Sequence, residues 1–300
     1  MSSRFIKDGE NKHSSRLVKA VEDLTLQWYS QEPDGVFGAV ATVNCGGVKI
    51  SSADLDIEFT VPFDDNMEAN EAEIIIYNLT NDTVSKFKRG ATCVINAGYR
   101  GDTGEIFRGF VDRATTTYEG ADKKTTIRCL DDIQEHFLTN YSCAGSTSRE
   151  ILKELIEKTG LPLGCEIKPR YEDYSYDTTQ VLDGNLMEFI RKYAEVCGIS
   201  VYVNKGKIYA RHIKDGDNIS FTVSENTGMI GSPVAFEEEQ QAEDFKETVN
   251  GFNITMLLQH RITTAAIVQL KSMIASGTYR VRSGRHIFNQ SEAITEIEVI

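Results

Sequence analysis

The chain has 300 residues, a formal net charge of −13, 40% hydrophobic and 26% charged residues, and five prolines. A length beyond what one core usually serves predicts two or three domains of about 100 residues each. The charge disfavours direct nucleic-acid binding, which needs clustered Lys and Arg, and no run approaches the roughly 18 apolar residues of a membrane helix, so no membrane insertion is expected. Met1 to Lys19 is polar and lacks the apolar core of a secretory signal, which predicts folding in the cytoplasm.

Residues 1–35 read as an N-terminal arm. Leu17, Val18, Val21, Leu24 and Leu26 form a short apolar stripe before Trp28 and Tyr29, the residues expected to dock on a partner. From 36 to 135 the pattern becomes short β-like runs: Val36 to Val43, Leu55 to Val61, Ile74 to Tyr77, Thr92 to Ala97, Ile106 to Thr117 and Thr125 to Cys129. Leu55, Ile57, Phe59 and Val61 alternate with Asp56, Glu58 and Thr60, the period of a half-buried strand. Ile74 to Tyr77, four apolar residues in a row, predict a strand buried on both faces, and Gly109 predicts a bulge or close backbone approach.

The segment 142–215 carries the helix signals. Thr147-x-x-Glu150 is a capping box ahead of the face Ile151, Leu152, Leu155 and Ile156, and Gly160 followed by Pro162 ends the run. Asn185-x-x-Glu188 opens a second helix that Gly198 closes, and Asn204-Lys205-Gly206 is a hairpin turn. A small α+β domain is therefore expected here. Strand-like runs return over 219–300, interrupted by Glu237, Glu238, Glu239, Glu243, Asp244 and Glu247. Like charges at that density predict a solvated loop or linker near a partner contact. Two β-rich regions around an α+β insertion suggest an internal duplication.

Spacing for catalysis is absent. The histidines His13, His136, His212, His260 and His286 form no ligand pattern, there is no nucleophile elbow or phosphate loop, and the six cysteines include no C-x-x-C pair. The cysteines are expected to be reduced and buried. Asp64-Asp65 and Asp131-Asp132 are adjacent pairs that point to opposite faces in extended chain and read as solvated loop acids. Gly98, Gly101 and Gly104 read as a hairpin loop. No catalytic, cofactor or metal site is predicted. Tyr171, Tyr174 and Tyr176 in a polar segment form either a binding surface for protein or sugar or a loop packed on the α+β domain.

The stretches Phe59-Thr60-Val61-Pro62-Phe63, Ala72 to Thr80, Gly98 to Val111 and Gly277 to His286, with the helix Glu150 to Thr159, resemble the baseplate hub proteins of contractile-tailed phages of Gram-positive hosts and of related phage-tail-like bacteriocins. The resemblance implies a mainly β fold with an α+β insertion, in which two tail-tube-like β-barrel or sandwich domains, 36–135 and 219–300, flank a small α+β domain at 142–215. It implies a homotrimer whose six such domains form a pseudo-six-fold ring between the tail tube protein and the central spike protein, among other baseplate proteins. DNA would pass through the channel without specific binding. It implies a structural, non-enzymatic virion component, with any lysozyme activity on another chain. A carbohydrate- or receptor-binding tail protein using the tyrosines, and a glycan hydrolase using Asp64 or Asp131, are the competing readings.

Overall fold

The computed structural model describes residues 38–131, 137–242 and 245–300, with the backbone alone between 239 and 248. Trp28 and Tyr29 lie outside the described residues. The fold is mainly β, with an α+β unit inserted between two groups of strands. The first group comprises β1 (Ala39–Cys45), β2 (Val48–Ser51), β3 (Ile57–Phe63), β4 (Glu71–Tyr77), the one-turn helix α1 (Asn81–Val84), β5 (Thr92–Tyr99), β6 (Asp102–Glu119) and β7 (Asp122–Leu130). The second comprises β12 (Asp217–Val223), β13 (Met229–Ala242), β14 (Phe245–Leu257), β15 (Ala266–Lys271), β16 (Ser276–Phe288) and β17 (Ala293–Val299).

Both groups belong to one 13-stranded sheet, ordered β13-β14-β17-β16-β3-β4-β7-β6-β5-β1-β2, with β12 and β15 attached beside β16. Among the described residues this path is open at both ends and closes no barrel. The groups repeat one connectivity. In the first, β1 pairs β5, β5 pairs β6, β6 pairs β7, β7 pairs β4 and β4 pairs β3. In the second, β12, β15, β16, β17, β14 and β13 follow in the same roles. The one change of direction is β12–β15, parallel where β1–β5 is antiparallel.

Strand alternation builds the first core. Ile57, Phe59 and Val61 on β3 and Ala72, Ile74 and Ile76 on β4 are buried in it, while Phe63 at the end of β3 packs into the core of the second group. Ile75 and Tyr77 are only half-buried, so β4 has one buried face rather than the two predicted from its apolar run. Its other face, Glu71, Glu73, Ile75 and Tyr77, is exposed or half-buried, which suits a half-covered antiparallel sheet. Gly109 meets the predicted close approach: a Cβ there would lie 2.2 Å from the carbonyl oxygen of Leu130. The cysteines are free; Cys45, Cys93, Cys129, Cys143 and Cys197 are buried and Cys165 is partly exposed.

The inserted unit consists of β8 (Phe137–Ser142), α2 (Ser148–Lys158), β9 (Val181–Asn185), α3 (Leu186–Cys197), β10 (Ser200–Asn204) and β11 (Lys207–Arg211). Thr147 and Glu150 form the reciprocal capping box of α2, and the helix buries Ile151, Leu152, Leu155 and Ile156. Asn185 caps α3, accepting from the Met187 N–H, and Gly198 ends it in the left-handed conformation at φ 68°. Lys205 and Gly206, at φ 49° and 71°, make the tight turn between β10 and β11. These helices and the hairpin enclose a separate core around Leu186, Ile190, Tyr193 and Val201.

Three expectations fail. Glu237 to Ala242 lie in β13 and residues from Phe245 in β14, so the acidic stretch is an extended two-stranded ribbon rather than a loop or linker. Pairing with β14 along this part of β13 holds the segment extended, which its own charge pattern does not reveal. Asp65 and Asp131 are not solvated loop acids. Asp131 is 3% exposed and accepts from the Asn70 backbone N–H at 2.8 Å and the Asn70 side-chain amide at 2.9 Å, while Asp65 holds a buried arginine. A carboxylate leaves water when fixed donors replace its hydration, which local sequence does not reveal.

Candidate assembly interface

The two strand groups join along a seam in which β16 runs antiparallel to β3, with Gly284 opposite Phe63, His286 opposite Val61 and Phe288 opposite Phe59. The alternating buried residues of both strands meet there. Phe59 and Phe288 stack at 5.2 Å with ring planes 14° apart, and His286 lies 4.9 Å from the Phe63 ring. The His286 Nδ1 pairs with the Thr295 hydroxyl at 2.9 Å, while its Nε2 is buried without a partner. Burial pushes this imidazole down to about 3, so it is neutral in the fold.

A titrating group held below its usual value fixes the sign of the pH effect. Above about 6.5 both folded and unfolded forms are neutral; below that, the unfolded chain takes up a proton that the fold refuses until pH approaches 3. His286 alone is expected to remove on the order of 2 kcal/mol between about pH 7.5 and about pH 5. Urea midpoints for the wild type and His286→Asn would check this: the variant's midpoint should depend less on pH over that interval.

Further contacts lock the seam. The Tyr99 hydroxyl donates to the Ala293 carbonyl at 2.9 Å, and Arg261 forks onto Asp102 at 2.6 and 2.7 Å. The Arg261 hydrogen bonds hold the Asp102 carboxyl below its ordinary range. Arg280 bonds Asp65 at 2.8 Å and the Asp215 carbonyl at 3.0 Å.

The inserted unit is fastened at the same place. The Lys205 ammonium, at the β10–β11 turn, donates to the Glu105 carbonyl at 2.6 Å and to the His260 carbonyl at 3.4 Å. Desolvation lowers its value to about 8. Asn204 exchanges hydrogen bonds with Thr263, and Arg211 bonds both Tyr202 and Asp217. One hairpin thus contacts both strand groups. Sequence reading found that turn from Asn204-Lys205-Gly206 but carried no signal for its role as a joint.

The predicted binding residues fall in two places. Tyr171 and Tyr174, 60% and 59% exposed, lie on the inserted unit. Tyr176 is half-buried, edge-on to Tyr174 at 4.8 Å and to Tyr193 at 5.9 Å, and so anchors the segment to the α+β core. Glu237 and Glu238 are exposed on β13, with Glu238 paired to Arg282 at 2.6 Å and Arg282 also to Glu298 at 3.1 Å. Glu239 follows on the same strand, opposite Thr248. The tyrosines and the acids therefore belong to different units. Among the described residues no cluster of His, Cys, Asp and Glu could hold a metal ion, and no helix is long and apolar enough to cross a membrane.

This fold is shared with solved phage tail proteins. The chain superimposes on the 43 kDa tail protein of prophage MuSo2 from Shewanella oneidensis with a TM-score of 0.61 and 9% identity, over 88% of this chain and 98% of that one. A tail protein from Neisseria meningitidis gives a TM-score of 0.58 and 10% identity over 88% and 96%. An Escherichia coli type VI secretion component, itself described as similar to the phage T4 tail proteins gp27 and gp5, gives 0.53 and 10% over 82% and 73%. No curated protein sequence matches. The family model described as baseplate hub gp41 matches residues 39–282, and the chain belongs to that family. It is a structural component of a phage tail baseplate.

Proposed function

We propose that this protein is the ring-forming hub of the baseplate: three copies close into a pseudo-six-fold ring that joins the tail tube above to the central spike below, with other baseplate proteins around it. The repeat of one strand-pairing scheme in both β groups carries this reading. Two alike units per chain let a trimer present six similar contacts to a tube and three to a spike. The Phe59–Phe288 seam, the Arg280–Asp65 pair and the Lys205 joint suit a mechanical role, since they make the units of one chain a single load-bearing body. No catalytic step is assigned to the chain. Residues 36–135 and 219–300 are the proposed tube-like domains, 142–215 the α+β domain and 1–35 a docking arm.

A ring of subunits each carrying −13 would let DNA pass without adhering, where a basic wall would retain it. Exposed Tyr171 and Tyr174 are proposed contacts for a neighbouring baseplate protein, as are Trp28 and Tyr29 on the arm and Glu237 to Glu239 on β13. Light scattering of the purified protein tests the oligomer. A mass of about 100 kDa, three times the 33.5 kDa of one chain, is expected; a monomer at every concentration would overturn self-assembly of the ring.

A further inference from the structure

The strand repeat extends to residue register. Val111 on β6 faces Cys129 on β7, and Val281 on β16 faces Val299 on β17; each strand then bulges by one residue before pairing resumes at Arg113 and Ser283. From there the two ladders run in step to Tyr118 opposite Lys123 and Phe288 opposite Ala293. Ala114 to Tyr118 thus occupy in the first group the places that Gly284 to Phe288 occupy in the second. In the same way Ile57 on β3 faces Ile76 and Met229 on β13 faces Met256. Past the bulge of β13, Val234 stands where Thr60 stands, because Asn253 and Glu73 hold equal positions against Glu298 and Arg128.

Within one chain, Gly284 to Phe288 pair with Phe59 to Phe63 to form the seam. On the edge equivalent to the seam, their counterparts have no partner strand among the described residues. β5 covers β6 only as far as Phe110, and β13 pairs β14 alone. Both free edges carry large exposed apolar side chains, Tyr118 at 76% and Val234 at 63%. Long uncovered edges of this kind are templates for another strand.

We propose that β13 of one copy pairs antiparallel with the outer half of β6 of a second copy of this chain, repeating the seam between molecules. The seam's register places Thr117 opposite Val234, Thr116 opposite Ala235, Thr115 opposite Phe236 and Ala114 opposite Glu237. The next step sets exposed Arg113 against Glu238, a pairing of opposite charge that holds the register. Each copy offers one edge of each kind, so the contact is head-to-tail and propagates until a ring closes. This inference rests on the ring reading above and names the strands that make it.

Cysteines at Thr116 and Ala235 test it in the full-length protein. Directly opposed residues of an antiparallel pair have Cα atoms about 4.5–5.5 Å apart, within reach of a disulfide. Mild oxidation of the double variant should give a reducible ladder ending at three copies. An equal mixture of the two single variants should give covalent dimers and nothing larger, and neither alone should exceed the wild type. A ring-sized particle by light scattering that forms no such link would overturn the strand assignment and leave the ring standing. A monomer without links at every concentration would overturn both, and a ladder ending at another number would support the edge pairing while overturning the threefold count.

Discussion

Replacing Asp65 with alanine is expected to lower the free energy of unfolding by about 3–5 kcal/mol, the cost of leaving a buried charge without its partner. The Arg280 side chain is 4% exposed and that of Asp65 11%, at 2.8 Å. Arg280 sits on β16 just before the seam, and Asp65 follows β3, so the pair bridges the two strand groups at the end of the seam opposite the aromatic stack. Its Nε is engaged by the Asp215 carbonyl, so the guanidinium cannot swing out to water without losing that bond too. Removing both charges together, as Asp65→Leu with Arg280→Met, should cost less than Asp65→Ala alone, because no orphaned ion remains. Urea denaturation of the three proteins measures both effects, and a loss under about 1 kcal/mol for Asp65→Ala would show that the pair behaves as a solvated one.

Phe59→Ala is expected to cost a further, independent 3–5 kcal/mol or so. Phe59 is 3% exposed and Phe288 7%, and they are directly opposed in the β3–β16 ladder. Truncating one ring opens a void that the rigid ladder cannot collapse, and removes the stacking contact as well as the buried area. Because the void lies at the junction, the two strand groups should also unfold less cooperatively. Tryptophan-free probes such as far-ultraviolet circular dichroism and tyrosine fluorescence, followed in one urea series, should give separated transitions for the variant and coincident ones for the wild type. Coincident transitions with a loss under about 1 kcal/mol would contradict a packed seam.

Elements whose cause is local were legible in the sequence. The capping box at Thr147 and Glu150, the Asn185 cap, the Gly198 stop and the Asn204-Lys205-Gly206 turn each depend on residues within a few positions, and each lies where the pattern put it. Long-range pairing was not. Nothing in Phe59 to Phe63 names Gly284 to Phe288 as its partner, and the acidic ribbon is a strand because β14 lies beside it, against its own charge pattern. The two β-rich regions suggest the duplication, but its residue-by-residue match was not legible, because it lies in which strands pair while side chains at matched places differ: Thr116 answers to His286, and Ala72 to Phe252. Asp65 and Asp131 escaped for the same reason, their partners Arg280 and Asn70 being far away in the chain. The family resemblance supplied what periodicity did not, the class of assembly.

Two alike units per chain are proposed to build a ring of higher apparent symmetry. Electron-microscopic class averages of the isolated oligomer test this most directly. Six lobes about a central channel, alternating in shape so that only threefold symmetry is strict, are the predicted result. A compact particle without a channel, or a ring with two or four chains, would contradict it.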